Sequence, residues 1–438
     1  MYNVGISSTD ITPPVGYRLQ GHSARKQPSQ MVHDPLYLKA LTISDGKERV
    51  ALITSDLVYF DKKLTAAIKD GVAQRTGLPA ERVMLTAAHT HTGPFTFSSR
   101  PDNPDILPDY LSLLVKKAIG AVIEAINREA PATLRWGTSQ VNIGVINRRS
   151  KDSQGRFQMA PNPDRPIDTQ VTALAVYDTA GQPRAILCNY ACHPTVLATD
   201  IYQISADYPG VVQRVLEQMY PGAQAMFTNG CCGDVRPAII DPATGEFKGG
   251  SFADAERMGH TLAGAVIMAL EQSAELPVGK VAGRLLALEL PLDQSLLPSD
   301  PDRLEHAYQT HQRSQTSHDG SGLDTWRDYW KERLAAGDPI PATVPIDIQA
   351  LHIGPARIAG IAGETMVEIA LQIKAAAAKK HKLMLSSNAN GVIGYLPTTP
   401  ALSEGGYETN SFIHKFYAAP YAPGMDEKLV KAMLDLLD

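Results

Sequence analysis

Residues 82–94 read RVMLTAAHTHTGP, a short apolar run followed by a loop of small and polar residues. A short apolar run bounded by Gly, Pro and polar residues is typical of a buried strand. The same form recurs in four later segments, RAILCNYACHPT (184–195), AQAMFTNGCCGDVRP (223–237), RIAGIAGE (357–364) and KLMLSSNANGVIGY (382–395). These five segments predict buried strands that each end in a polar or Gly-rich loop.

Segments with helical periodicity alternate with these strands. They predict helices at 62–76, 108–128, 210–219, 252–272, 364–380 and 425–437. This alternation predicts an α/β fold, with a mixed, mostly parallel sheet and helices on both faces. The polar stretch 298–340 predicts a helical insertion or lid.

The length of 438 residues permits one large domain with insertions or two domains. No internal repeat, low-complexity tract or long linker divides the sequence. We therefore expect a single catalytic domain over 1–438, with 298–340 inserted into it.

Composition excludes several classes of function. Lysine plus arginine number 41 against 46 aspartate plus glutamate, a net charge of −5 that argues against nucleic-acid binding. No apolar run approaches the roughly 18 residues of a membrane span, and the N-terminus lacks the pattern of a signal peptide. The four cysteines are too few for a disulfide scaffold and are not spaced like a zinc ribbon. We expect a cytoplasmic protein with a small-molecule substrate and no membrane insertion, for which a homo-oligomer stays open.

Ligands of open α/β sheets bind beyond the carboxyl ends of the strands. The five loops should therefore meet at one sheet edge. In the first loop, His89 and His91 would point to the same side of an extended segment, so one could bind a metal and the other a substrate. His193 and Glu364 add an imidazole and a carboxylate. Each has an alternative taken alone: an ordinary polar loop, a structural histidine and a helix N-terminus.

The loop NGCCGDVRP has two interpretations. Asn229, Gly233 and Asp234 could belong to a backbone nest that binds an anion or an oxyanion. Alternatively, the loop is a tight turn that needs glycine for positive φ. It lacks the Gly-Lys-Ser/Thr signature of a nucleotide-binding P-loop.

Taken together, HTHTGP, CHPT, the GDV turn, the acidic strand-to-helix junction and GGYE resemble the neutral/alkaline, non-lysosomal ceramidase family. The family has ATHTHSGP, an HGTS-type loop, GDVSP, a glutamate before a helix and a YEG segment, in this order. The resemblance runs from DITPP near the N-terminus to about Glu408.

The resemblance implies a zinc site and the residues around it. By motif, the zinc ligands would be His89, His193, Glu364 and Tyr395. The same correspondence assigns catalytic roles, in orienting substrate or stabilising an oxyanion, to His91, Arg148 and Tyr407. An aspartate (Asp56, Asp207 or Asp234) could orient a ligand histidine.

The sequence departs from the family at the GDVSP serine, where it has Arg236. We also expect no counterpart of the family's immunoglobulin-like C-terminal domain after GGYE. Together with Arg148 and Arg149, Arg236 would make the pocket cationic, which suits a carboxylate or phosphate. The alternative for Arg236 is a structural salt bridge with an aspartate. We therefore expect ceramide to be a poor substrate.

These observations predict a zinc-dependent hydrolase that cleaves an amide or ester bond of a small, polar, anionic substrate. Two alternatives stay open. One is a saccharide lyase or glycosidase acting on a uronate at the same metal site, and the other is a non-catalytic binding protein.

Overall fold

The computed structural model describes residues 1–97, 105–314 and 320–438. The strands are β1 Tyr2–Asp10, β2 Met31–Val32, β3 Tyr37–Ser44, β4 Arg49–Ser55, β5 Val83–Ala87, β6 Ala130–Gln140, β7 Val145–Lys151, β8 Phe157–Asn162, β9 Gln170–Asp178, β10 Pro183–Tyr190, β11 Gln203–Ile204, β12 Gln224–Asn229, β13 Val235–Pro237, β14 Ala274–Glu275, β15 Val281–Pro291, β16 Thr343–Ile353, β17 Ala356–Ile361, β18 Glu364–Thr365, β19 Lys382–Ser386 and β20 Tyr395–Leu396. The helices are α1 Lys62–Thr76, α2 Pro108–Asn127, α3 Asp207–Met219, α4 Phe252–Glu271, α5 Pro301–Ser314, α6 Gly320–Ala336, α7 Val367–Ala377, α8 Thr399–Glu404, α9 Tyr407–Asn410 and α10 Met425–Leu437.

Two large sheets form the centre of the fold. The first has the strand order β12-β10-β9-β6-β1-β3-β4-β5, with β14 paired to β6. The second has the order β15-β16-β17-β19. Apolar side chains of both sheets, among them Leu52, Leu134, Leu351 and Ile358, form one buried cluster between them. The sheets are therefore packed face to face.

Helices cover the outer face of each sheet. On the first sheet, a Cβ on Gly5 would come within 1.8 Å of the Ala125 carbonyl oxygen in α2, and one on Gly137 equally close to Ala269 in α4. The antiparallel register pairs odd-numbered residues of β1 with odd-numbered residues of β6, so both glycines lie on the same face. Helices α6, α7 and α10 share a core with the outer face of the second sheet. The fold thus has four layers, in the order helix, sheet, sheet, helix.

The structure confirms the α/β class and the mixed sheet. All five predicted strands occur, within one or two residues, as β5, β10, β12, β17 and β19. The six predicted helices correspond to α1, α2, α3, α4, α7 and α10, and the helical segment near 298–340 contains α5 and α6. Residues 315–319 of that segment lie outside the described residues.

Two details of the predicted sheet are corrected. Among the described strands of the first sheet, only the β4–β5 and β10–β12 pairs are parallel. Short turns containing Gly46 and Gly181, both at positive φ, join antiparallel neighbours, and such turns cannot connect parallel strands. In addition, the described helices cover only one face of each sheet, because the inner faces of the two sheets pack against each other. None of the described helices has both the length and the hydropathy that crossing a bilayer needs.

A candidate metal centre between the two sheets

Four predicted ligands come from strand ends of both sheets. His89 follows β5 and His193 follows β10, both in the first sheet. Glu364 follows β17 and Tyr395 follows β19 of the second sheet, and the two residues pair directly in the short parallel β18–β20 ladder. His89 has φ 72°, a left-handed backbone conformation that is strained for a histidine. The strand ends thus meet as predicted, but at the junction of two sheets.

The histidine and glutamate side chains converge on one point. The Nε2 atoms of His89 and His193 each lie 3.4 Å from the same oxygen, Oε2 of Glu364. His91 joins the group, with its Nε2 3.3 Å from Nε2 of His89. Potential ligand atoms of the three histidines all lie within 4.8 Å of one another. The geometry therefore admits a three-histidine ligand set as well as the set with Glu364 and Tyr395.

Backbone carbonyls orient the two histidines that face Glu364. Nδ1 of His89 lies 2.8 Å from the Val58 carbonyl oxygen, and Nδ1 of His193 lies 2.7 Å from that of Cys232. A proton on Nδ1 of each ring would be donated to the carbonyl and would leave the Nε2 lone pair free for a cation. The prediction that Asp56, Asp207 or Asp234 orients a ligand histidine is therefore wrong.

The protonation of these groups suits a divalent cation. Burial, together with the nearby Arg148, lowers the pKa of His193 to about 4, so its imidazole is neutral. Burial alone would raise the pKa of Glu364, but His193 and His89 hold it well below its usual value, so the side chain is a carboxylate. Neutral imidazoles, a carboxylate and a neighbouring phenol are ligands that fit zinc. The residues present fit the metal that the sequence predicts.

A buried network of ion pairs supports the Tyr395 side of the centre. Arg148 donates from Nη2 to the Tyr395 hydroxyl at 3.0 Å and from Nε to Glu408 at 2.8 Å. The second Glu408 oxygen accepts from Arg149 at 2.6 Å. The Arg148 guanidinium also lies over the rings of Tyr395 and Tyr407, which are themselves 5.5 Å apart between centroids. The structure thus brings Arg148 and Tyr407 to the centre, whereas the Arg149 guanidinium is bound by carboxylates of the protein.

The Gly-rich loop holds the backbone around Glu364. A Cβ on Gly233 would come within 2.5 Å of the Glu364 carbonyl oxygen, and the Gly233 N–H donates to Thr365 at 2.8 Å. This N–H already has a partner, which argues against the anion-binding nest. Neither Gly230 nor Gly233 has positive φ, so the turn does not need glycine for that reason, and it is the close approach of Glu364 that requires Gly233.

The two polar side chains of the same loop point into the fold. Asp234 is fully buried and accepts hydrogen bonds from Asn147 and from the backbone of Val367, each at 2.8 Å. Asn229 is also fully buried. The predicted role of Asn229 and Asp234 in substrate binding stays a prediction.

Arg236 lies at the edge of the centre. Its guanidinium is stacked over the Phe247 ring, 4.3 Å from the centroid, and within the described ranges it forms no ion pair. Burial, reinforced by the positive charge of Arg148, lowers its pKa to about 10, which leaves it protonated at neutral pH. The salt-bridge interpretation of Arg236 thus has no aspartate partner in the described part of the chain.

The sequence did not single out an N-terminal loop that surrounds His91. The His22 ring stands edge-on to His91 with centroids 4.9 Å apart, and Arg25 donates to the His91 carbonyl oxygen at 2.7 Å. Gly21, at φ 109°, leaves no space between its backbone and the His91 ring. A lone His and Arg in a loop carry no periodicity or motif, so only tertiary contacts could identify them.

A further unpredicted residue, Lys415, approaches the metal centre from the C-terminal part of the chain. Its ammonium lies over the rings of Tyr59 and Phe97, and Glu364 is the charged group whose field acts on it. Phe97 and Lys415 are far apart in sequence, which explains why no local pattern indicated their contact.

Several proteins that are similar to this chain in sequence are neutral ceramidases. The "Neutral ceramidase" of Pseudomonas aeruginosa is 24% identical over 263 residues, which cover 56% of this chain and 38% of that protein. "Neutral ceramidase 2" of Arabidopsis thaliana is 22% identical over 242 residues, covering 51% and 31%. The chain thus matches well under half the length of these relatives.

The fold likeness extends over the whole chain. The crystal structure of the neutral ceramidase from Pseudomonas aeruginosa matches with a TM-score of 0.75 at 19% identity, covering 100% of this chain and 74% of that one. Residues 2–256, more than half of the sequence, match the family described as "Neutral/alkaline non-lysosomal ceramidase, N-terminal". This chain therefore belongs to the neutral/alkaline non-lysosomal ceramidase family.

Proposed function

We propose that the chain is a zinc-dependent hydrolase that cleaves an amide or ester bond of a small anionic substrate. The observation that carries this proposal is the convergence of two histidine Nε2 atoms on one oxygen of Glu364, 3.4 Å from each. His89, His193, Glu364 and Tyr395 would hold the metal. Family membership supports the reaction class, since the named relatives are ceramidases.

Zinc, when bound, supplies a Lewis acid that polarises a carbonyl and lowers the pKa of water toward neutrality. Residues of the chain would supply the proton transfers and the positioning that the reaction needs. His91 and Tyr407 flank the centre and would hold or move a proton as the scissile carbonyl gains negative charge. Arg148, fixed by Glu408, keeps the Tyr395 hydroxyl in place. The His89 and His193 side chains are nearly fully buried, which excludes water from the ligand side.

Arg236 supports an anionic substrate. It is half-buried and protonated, and no carboxylate of the described chain neutralises it. An arginine can bind a carboxylate or phosphate through two parallel hydrogen bonds, whereas the serine of the family pattern cannot. The proposal therefore places an acidic group of the substrate at Arg236.

We also propose a cytoplasmic location. All four cysteines are free and buried, as in a reduced compartment.

The proposal is tested by screening the zinc-loaded protein against amides and esters with and without acidic groups, together with uronate-containing saccharides, with products identified by mass spectrometry and absorbance. We expect a new amine or alcohol and a new carboxylate from an acidic member, loss of turnover on chelation, and no turnover by His89→Ala. A product with unsaturated-sugar absorbance would instead support the uronate lyase. Turnover that persists in the metal-free protein would refute the proposal.

A further inference from the structure

Lys415 lies beside the metal centre in an aromatic frame. The aliphatic part of the Lys415 side chain packs against Gly394, the neighbour of Tyr395. A Cβ added to Gly394 would come within 3.3 Å of the Lys415 side-chain carbons. Its Nζ is 5.1 Å from the Tyr59 ring centroid and 4.9 Å from that of Phe97. These contacts place a half-buried ammonium on the Tyr59 and Phe97 side of the centre.

No carboxylate pairs with this ammonium in the part of the chain that the structure describes. Among residues 1–97, 105–314 and 320–438, Nζ of Lys415 has its two ring contacts and no hydrogen bond or ion pair. By contrast, Glu408 supplies a carboxylate to both Arg148 and Arg149. Aromatic faces offset only part of the hydration that a buried ammonium loses. Lys415 therefore offers donors that an incoming anion can accept.

Arg236 and Lys415 contact different walls of the centre. Arg236 lies within the electrostatic reach of Arg148 and His22 and is stacked on Phe247. Lys415 is held against Tyr59 and Phe97, and the charged side chain that acts on it is Glu364. Two basic groups that have no carboxylate partner among the described residues, on different walls, are suited to two separate anionic groups of one ligand.

We infer that Lys415 binds an acidic group of the substrate distinct from the group bound by Arg236. This inference rests on the proposed function and deepens it. The substrate class is then an amide or ester that carries an acidic group on each side of the scissile carbonyl. Such a molecule would place its carbonyl at the histidines and one carboxylate at each cation, whereas a long apolar chain would have to bury Lys415 without a partner.

The test uses three ketones that cannot be hydrolysed: 4-oxoheptanedioic acid, 4-oxoheptanoic acid and 4-heptanone. They share one carbon skeleton around a central carbonyl and carry two, one and no carboxylates. Binding to the zinc-loaded full chain is measured by calorimetry. We expect the affinity to rise at least roughly tenfold, or about 1.4 kcal/mol, for each carboxylate, because each would form a charge-assisted hydrogen bond.

Substitutions test whether the increase in affinity from the second carboxylate depends on Lys415. Lys415→Met should bind the diacid no better than the monoacid and bind 4-heptanone as before, whereas Lys415→Arg should retain the preference. Lys116→Met, an exposed lysine of α2, is the matched control and should behave as wild type. Equal affinity of the wild-type protein for the diacid and the monoacid would overturn the inference, as would an equal loss for all three ketones in Lys415→Met. Because the readout is binding, it is independent of whether the protein hydrolyses amides.

Discussion

The Gly21 backbone lies directly against the His91 ring: a Cβ added to Gly21 would come within 2.4 Å of Cγ of His91. With φ 109°, Gly21 also has a conformation that L-residues rarely adopt. The N-terminal loop thus sets the position of a side chain that we place in catalysis.

Gly21→Ala should displace His91 and lower kcat/KM at least about tenfold, because small misplacements of catalytic groups are costly. The strain of positive φ should also cost roughly 1 to 3 kcal/mol in the free energy of unfolding. Gly16→Ala is the matched control, because Gly16 has φ 102° but nothing lies within 4 Å of an added Cβ. It should be destabilised similarly and retain full activity. A similar loss of activity in both variants would contradict the positioning role.

One zinc ion should bind tightly per chain. His89→Ala and His193→Ala should each remove metal and activity while leaving the circular dichroism spectrum nearly unchanged. Elemental analysis after zinc loading checks this, with the exposed His260→Ala as control. His91→Ala decides between the two ligand sets: it should retain zinc and lose activity, whereas loss of zinc would point to three histidines as ligands. A wild-type protein that binds no zinc would refute the site.

Glu408→Ala should be among the most destabilising substitutions at the centre. It would leave Arg148 and Arg149 buried without a carboxylate between them, and breaking a buried pair costs roughly 3 to 5 kcal/mol. Urea unfolding monitored by fluorescence measures the loss. Glu427→Ala, on the exposed side of α10, should change stability by less than about 0.5 kcal/mol. Equal stability of the two variants would show that the arginines are hydrated in solution.

Arg236→Ala should raise KM for an acidic substrate and leave zinc content unchanged. Arg236→Lys should recover only part of the loss, because an ammonium cannot reproduce the two parallel hydrogen bonds of a guanidinium. Steady-state kinetics on matched acidic and neutral substrates measure the effect. Unchanged kinetics in Arg236→Ala would leave the anionic substrate without support.

Hydrolysis of long-chain ceramide should be absent or marginal. Arg236 occupies the position of the family serine, and a neutral lipid offers it no acidic group. Arg236→Ser should not by itself create the activity, because Lys415 still lies beside the centre. Release of sphingosine from ceramide in detergent is the measurement, and robust turnover by the wild-type protein would contradict this expectation.

The sequence predicted those parts of the fold that have a local signature. Buried strands such as β5 and β10 have apolar runs that end at a histidine loop, so both the strands and the convergence of His89 with His193 could be anticipated. The antiparallel neighbours were missed although Gly46 and Gly181 mark their turns, because the alternation of strands and helices dominated the prediction. No sequence pattern distinguishes the strands of the second sheet from those of the first, so the presence of two sheets was not predicted.

The surroundings of the centre were harder to predict than its histidines. Carbonyl groups, not aspartates, accept from the ring nitrogens, and every residue has a carbonyl, so sequence cannot show which one is used. The carboxylate partners of Arg149 are Glu404 and Glu408, both more than 250 residues away. Lys415 and Gly21 act through contacts that exist only after the sheets have packed.

The origin of the four proposed ligands in two different sheets has a consequence for folding. His89 and His193 follow strands of one sheet, and Glu364 and Tyr395 follow strands of the other, so a shared ion would cross-link the layers as well as activate a substrate. Such an ion binds only the closed assembly, and each tenfold excess of free metal over its Kd then adds about 1.4 kcal/mol to the free energy of unfolding. The concentration of free metal would thus affect how stably the two sheets remain packed against each other.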